Sequence, residues 1–234
     1  MKAKPAGFTR IELMALVAAL TLVVALALPL VASTSTSAAR LSCFNNLRQL
    51  GTAVLLFSNN HEDRPPWLTS VTNGGTLIPA GKSAAAWTEL IVLSNNLATP
   101  RVLACPSDAK SQVASHWGST AGGLANSGLR ANAVSYFLSF HGQMELGRSV
   151  VSGDRDFSPT AFPPSGCNRG VTNAAVLFQG DQQIAWTNEV HIGAGHLLFM
   201  DGAVEYMNST RLRTVAAGEE TQNDSRSIHY VNTR

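Results

Sequence analysis

Twenty consecutive residues, Leu13 to Ala32, carry no charge, and eleven of them are Leu or Val. As a helix they span about 30 Å, enough to cross the hydrocarbon core of a bilayer. Their Leu and Val side chains alone favour insertion by about −5 kcal/mol. Lys2, Lys4 and Arg10 precede the stretch, and the next basic residue is Arg40. That asymmetry predicts a single pass, with the N-terminus in the cytoplasm and the bulk of the chain outside. An ordinary secretory signal would have a shorter apolar stretch of 7–15 residues and a small-residue cleavage site. Val31-Ala32-Ser33 has the look of such a site. A plain membrane anchor accounts for everything except Glu12 and its neighbours, because a carboxylate at the mouth of a membrane helix is costly without a partner.

Beyond a small polar run at Ser33–Ser37, an amphipathic pattern begins. Leu41, Phe44, Leu47, Leu50, Val54 and Phe57 recur at three- and four-residue intervals, as on one face of a helix. Gly51 lowers helicity within it, and Pro65-Pro66 follows its end. The expectation is one long interrupted helix from about Phe8 to about Asn60, its second half packed on a head formed by residues 61–234. In the head, 84–97 has helical spacing, and 134–140 and 174–178 suit strands. Residues 111–132 and 152–173 read as loops, the latter for Pro159, Pro163 and Pro164. His196–Met200 and Ala203–Met207 flank Asp201-Gly202, which suits a two-residue type I′ hairpin turn. The expected fold class is therefore α+β, an antiparallel sheet against the long helix.

The segment Gly7-Phe8-Thr9-Arg10-Ile11-Glu12 resembles the type IV prepilin cleavage motif. The resemblance implies a leader of residues 1–7, cut after Gly7, and methylation of the new amine of Phe8. It makes Glu12 the retained acid of assembly, which would neutralise the Phe8 amine of a neighbouring subunit inside an apolar fibre. Pro29 is similar to a proline found late in pilin helices, where it loosens or kinks the helix. Loss of Lys2 and Lys4 with the leader would take the formal charge from +2 to 0. A neutral chain offers no electrostatic reason to bind nucleic acid.

Three head segments resemble prepilin-like proteins of planctomycete and verrucomicrobial bacteria. They are Cys43-Phe44-Asn45-Asn46-Leu47-Arg48-Gln49-Leu50-Gly51, then Cys105-Pro106-Ser107, then His191 followed after nine residues by Asp201-Gly202. Gly153-Asp154-Arg155 is similar to a segment found before the last of these. Ala203 stands where that pattern often has a second histidine. The resemblance implies a pilin-like fold and a structural subunit of a type II secretion or type IV pilus-like fibre. Its implied partners are a prepilin peptidase and N-methyltransferase, other pilin or pseudopilin subunits, an inner-membrane assembly platform and membrane lipid. A surface pilin is the alternative within the class.

Cysteine spacing alone permits three pairings among Cys43, Cys105 and Cys167, and three free thiols besides. The resemblance favours Cys43 with Cys105, since both lie in the matching segments. His191, His196, Asp181 and Asp201 are candidate metal ligands, with carboxylates suiting calcium and imidazoles zinc. Some secretion pseudopilins hold calcium in a C-terminal loop. The expectation is nonetheless no cofactor, with Asp201 a turn residue and His191 bonded to nearby backbone. No G-x-S-x-G elbow, H-E-x-x-H helix or phosphate loop is present, so a membrane-anchored hydrolase is the less favoured alternative to a non-enzyme.

Overall fold

Thr9 and Glu12 start the first helix by reciprocal capping. The backbone N–H and the hydroxyl of Thr9 each donate to Glu12 Oε2 at 2.8 Å, and the Glu12 N–H donates back to Thr9 Oγ1 at 3.3 Å. This is a capping box, which satisfies helix-start donors that have no intrahelical partner. The computed structural model describes residues 9–77, 82–83, 85–140, 142–145, 148–158, 171–172, 175–178, 184–216 and 228–231, without side chains for 26–35, 82–83, 171–172, 175–178 and 228–231. Gly7, Phe8 and Cys167 lie outside the described residues, and of Pro29 only the backbone, within the helix, is described. Helix α1 runs Arg10–Asn59. Among the described residues no helix is long and apolar enough to cross a membrane. The expected span of Leu13–Ala32 includes side chains that are not described.

The chain divides into two units, Met1–Ala39 and Arg40–Arg234. In the first, Ile11, Leu13, Met14, Leu16, Leu20 and Leu22 are all more than half exposed. In the second, α1 buries Cys43, Leu47, Leu50, Ala53, Val54 and Phe57. Each large apolar side chain buried there contributes roughly 1.5–3 kcal/mol. Leu41, expected on the buried stripe, is 60% exposed, and Cys43 takes its place. Gly51 lets the helix approach the sheet, because a Cβ there would lie 2.7 Å from Leu198 Cδ1. Its cost in helicity is offset by that contact.

The strands are β1 (Lys82–Ser83), β2 (Tyr136–Ser139), β3 (Val150–Asp154), β4 (Phe157–Ser158), β5 (Val171–Thr172), β6 (Ala175–Phe178), β7 (Ala185–Trp186), β8 (Ala194–Phe199), β9 (Val204–Asn208) and β10 (Ile228–Val231). Among the described residues the other α-helices are short, α2 (Ala86–Ile91) and α3 (Ser209–Ala216), with α2 continuing as a 3-10 turn over Val92–Asn95. The main sheet has six strands in the order β6-β10-β2-β3-β8-β9, every neighbouring pair antiparallel. The fold is thus α+β. β4 pairs antiparallel with β7, and β1 pairs parallel with β5.

Alternation along the central strands sorts side chains to two faces. Tyr136, Leu138, Val151 and Leu198 join α1 in one apolar cluster. Phe137, Val150, Leu197 and Phe199 join Phe157, Trp186, Leu212 and Val215 in a second. The central strands are covered on both faces, and β2, β3 and β8 are buried at every position.

That burial corrects the reading of 152–173 as a loop. Residues 152–154 belong to β3, between β2 and β8. Gly153 and Asp154 resemble turn residues in sequence, but the neighbouring strands impose extended backbone. At Gly153 a Cβ would meet His196 O and Leu197 Cδ2 at 2.6 Å and Phe137 Cε1 at 2.8 Å. Gly153→Ala should therefore destabilise the protein by about 1–3 kcal/mol. Denaturant unfolding measures this, and a variant as stable as the parent would refute the close packing.

The β8–β9 hairpin lies where expected, with a different turn. Of Asp201 and Gly202, Gly202 alone has a left-handed φ, 81°, whereas type I′ needs one at both central residues. Gly202 N–H donates to Phe199 O at 3.0 Å and Phe199 N–H to Ala203 O at 2.9 Å, closing a three-residue loop, Met200 to Gly202. Asp201 Oδ1 accepts the Ala203 N–H at 2.9 Å, so this carboxylate serves the turn.

Candidate functional site: a buried histidine and carboxylate cluster

The end of β3 carries three consecutive charged residues, Asp154, Arg155 and Asp156, all buried. Burying a charge without partners is expensive, and each of the three finds a different solution. Arg155 forms a short ion pair with Asp108 Oδ2, which also accepts the Ser135 hydroxyl at 2.8 Å. That pair ties β3 to the segment after Cys105. Asp156 Oδ2 accepts the backbone N–H groups of Val190 and His191, both at 3.1 Å, and so shapes the loop before β8.

Asp154 turns toward two histidines. Its Oδ2 accepts the backbone N–H of His196 at 2.7 Å and meets His196 Nδ1 at 2.8 Å. The same oxygen lies 3.3 Å from His191 Nε2. Asp154 is fully buried, and its Oδ1 has no hydrogen-bond partner among the described residues. Asp156 Oδ1 is likewise unpartnered among them. Because Asp154 takes the bond from His196 Nδ1, the proton of that ring lies on Nδ1 when the ring is neutral.

Aromatic and sulfur groups wall the cluster. The His191 and His196 rings meet edge to face at 4.9 Å between centroids. Tyr206 lies 4.9 Å from His196, Phe44 of α1 6.1 Å from it, and the Arg40 guanidinium sits 4.8 Å above the Tyr206 ring. Cys43 and Cys105 are joined as a disulfide, and Cys105 Sγ lies 3.7 Å from His191 Nε2. The sulfur nearest the histidines is therefore not a thiolate and offers no nucleophile.

The cluster displaces proton equilibria. Burial, reinforced by the charge of Asp154, pushes the Asp156 carboxyl up to about 7, against the pull of the His191 and Val190 N–H groups. Burial lowers His191 below the ordinary imidazole value, and the charges of His196 and Arg40 act with it. The attraction of Asp154 opposes this shift without cancelling it. Neutral imidazole presents a lone pair, the form that ligates metals.

Of the residues singled out from the sequence, the structure joins Cys43 to Cys105 as expected and brings His191 and His196 together at Asp154. Asp201 belongs to the hairpin turn, and Asp181 lies outside the described residues. Asp154 and Asp156 were missed as site residues. The available signal is a charged triplet that follows the apolar Val150-Val151 after Ser152 and Gly153, in a chain with only 14% charged residues. At the other end of the chain, the Thr9 N–H and then its hydroxyl hold the Glu12 carboxyl below its ordinary range. The capping box behind this, Thr-x-x-Glu, is legible in the sequence. No protein-family model, curated protein or solved structure matches the chain.

Proposed function

We propose that the chain is a prepilin-type structural subunit, a pseudopilin of a type II secretion or type IV pilus-like fibre. It is made with its N-terminus in the cytoplasm and its head outside the inner membrane. A prepilin peptidase cuts after Gly7 and the Phe8 amine is methylated. The observation that carries this reading is the Gly7–Glu12 motif set directly before twenty uncharged residues. A helix running Arg10–Asn59, whose second half belongs to the core of an antiparallel-sheet unit, is the architecture such a subunit needs. Assembly packs apolar helices of many copies and leaves the heads outside. Export of cargo by a growing fibre is favoured over a surface filament, because no adhesive motif stands out in the sequence of the head. The chain itself catalyses nothing in this scheme.

Glu12 has a second use that sharpens the test. Its carboxylate caps α1 through Thr9, so its presence has a purely local rationale beside the inter-subunit one. Glutamine at this position can still cap, whereas valine cannot. Intact mass of the membrane-extracted protein should show a chain starting at methylated Phe8 for the parent, Glu12→Gln and Glu12→Val. Fibre incorporation should be lost in both variants if charge neutralisation is the role. Incorporation retained by Glu12→Gln alone would reduce Glu12 to a helix cap, and a chain retaining Met1 would overturn the prepilin reading.

A further inference from the structure

We propose that Asp154, His191 and His196 form a zinc(II) site in the head. The inference stands apart from the fibre reading, since it rests only on the Arg40–Arg234 unit. One carboxylate oxygen and two imidazole nitrogens converge here, all within 4.8 Å of one another and all buried. Two imidazoles and a carboxylate are the donor set of three-ligand zinc centres. Zinc bonds of about 2.0–2.1 Å in tetrahedral geometry place ligand atoms about 3.3 Å apart. His191 Nε2 and Asp154 Oδ2 are 3.3 Å apart, at that spacing, and His196 Nδ1 lies 2.8 Å from the same oxygen, a separation that opens by about 0.5 Å when an ion takes both atoms.

Two further observations point to a ligand rather than to a closed hydrogen-bond cluster. Asp154 gathers three nitrogens around Oδ2 while its buried Oδ1 has no partner among the described residues. A fully buried carboxylate oxygen left unbonded is a costly arrangement that a cation would relieve. The three ligands also come from separate elements: the end of β3, the loop before β8, and β8 itself. An ion held by them would bind only the folded head.

Binding replaces the proton between His196 Nδ1 and Asp154. Zinc takes the His196 Nδ1 lone pair, the His191 Nε2 lone pair and a carboxylate oxygen, and each ring stays a neutral imidazole whose one proton is carried on its other nitrogen, so the His196 proton moves from Nδ1 to Nε2. Calcium is a poor fit, because two of the three donors are imidazoles and calcium prefers oxygen.

The test uses the full-length chain, stripped with EDTA and kept in detergent, titrated with zinc or with calcium. Histidine side-chain nitrogen resonances report which rings bind. The expected result is one zinc per chain, shifts at His191 and His196 together, and no response to calcium. The unfolding midpoint should rise by about 5–10 °C at zinc roughly a hundredfold above Kd. His191→Gln should abolish the shift at His196 while leaving the hydrogen bond from His196 to Asp154. Should that variant not fold, the resonances of the parent chain still decide. No response at millimolar zinc, or shifts confined to His61 and His116, would overturn the site.

Discussion

Loss of the Cys43–Cys105 bond should cost the head about 4 kcal/mol. The bond closes a loop with a sequence separation of 62, and a closure of that length removes about this much conformational freedom from the unfolded chain. It also joins α1 to the segment that carries Asp108, the partner of Arg155. The double variant Cys43→Ala/Cys105→Ala should lower the unfolding midpoint by roughly 8–16 °C. Denaturant unfolding with and without reductant checks the same quantity in the parent chain. If reduction changes stability by less than about 1 kcal/mol, the constraint on the unfolded chain is not what stabilises this head. Because Cys105 Sγ lies 3.7 Å from His191 Nε2, reduction should also perturb the His191 ring, visible as a shifted imidazole resonance.

The second large effect is a pH dependence centred on Asp156. Its carboxyl titrates near 3.8 when exposed and about 7 in the fold. Between those values the folded protein holds a proton that the unfolded chain has released. Stability therefore falls as pH rises through this window, by up to about 4 kcal/mol in total. His191 acts in the opposite sense. Its folded value lies below the ordinary 6.5, so in its window the unfolded chain holds the extra proton and stability rises with pH. The two compensate in part below about pH 6.5, and Asp156 acts alone just above it. In metal-free buffer, Asp156→Asn keeps an acceptor for the Val190 and His191 N–H groups and removes the ionisation. The variant should gain stability over the parent progressively from about pH 5 to pH 8. An equal difference at both ends of that range would mean that Asp156 does not titrate as described.

Both effects arise where local sequence signals were weakest. The amphipathic spacing of Leu47, Leu50, Val54 and Phe57 marks the buried stripe of α1, because helical periodicity is written in the chain itself. The β8–β9 hairpin is marked by its flanking apolar runs and Asp201-Gly202. Its turn type differs from the expected type I′, since a three-residue loop and a two-residue turn share the same Asp-Gly signal. β3 carries no local strand signal. Val150, Val151, Ser152, Gly153 and Asp154 lack strand alternation because both faces of that strand are covered. A sequence pattern reports one solvent-facing side against one buried side, and a doubly covered strand has no such contrast.

Sequence alone determined where the apolar stretch, the second half of α1 and the last hairpin lie, because each is a local pattern of hydrophobicity or turn chemistry. It also supplied the motif at Gly7–Glu12 on which the proposed function rests. Tertiary structure decided which charges are buried and whom they face. Asp154 meets His196 across a strand pair 42 residues apart in sequence, and Asp108 meets Arg155 across 47. Contacts of that kind exist only once the chain has folded, and they leave no periodic trace along it. The disulfide is the intermediate case. Three cysteines limited the pairings, but only the packing of α1 against the segment at Cys105 brought two sulfurs together beside His191.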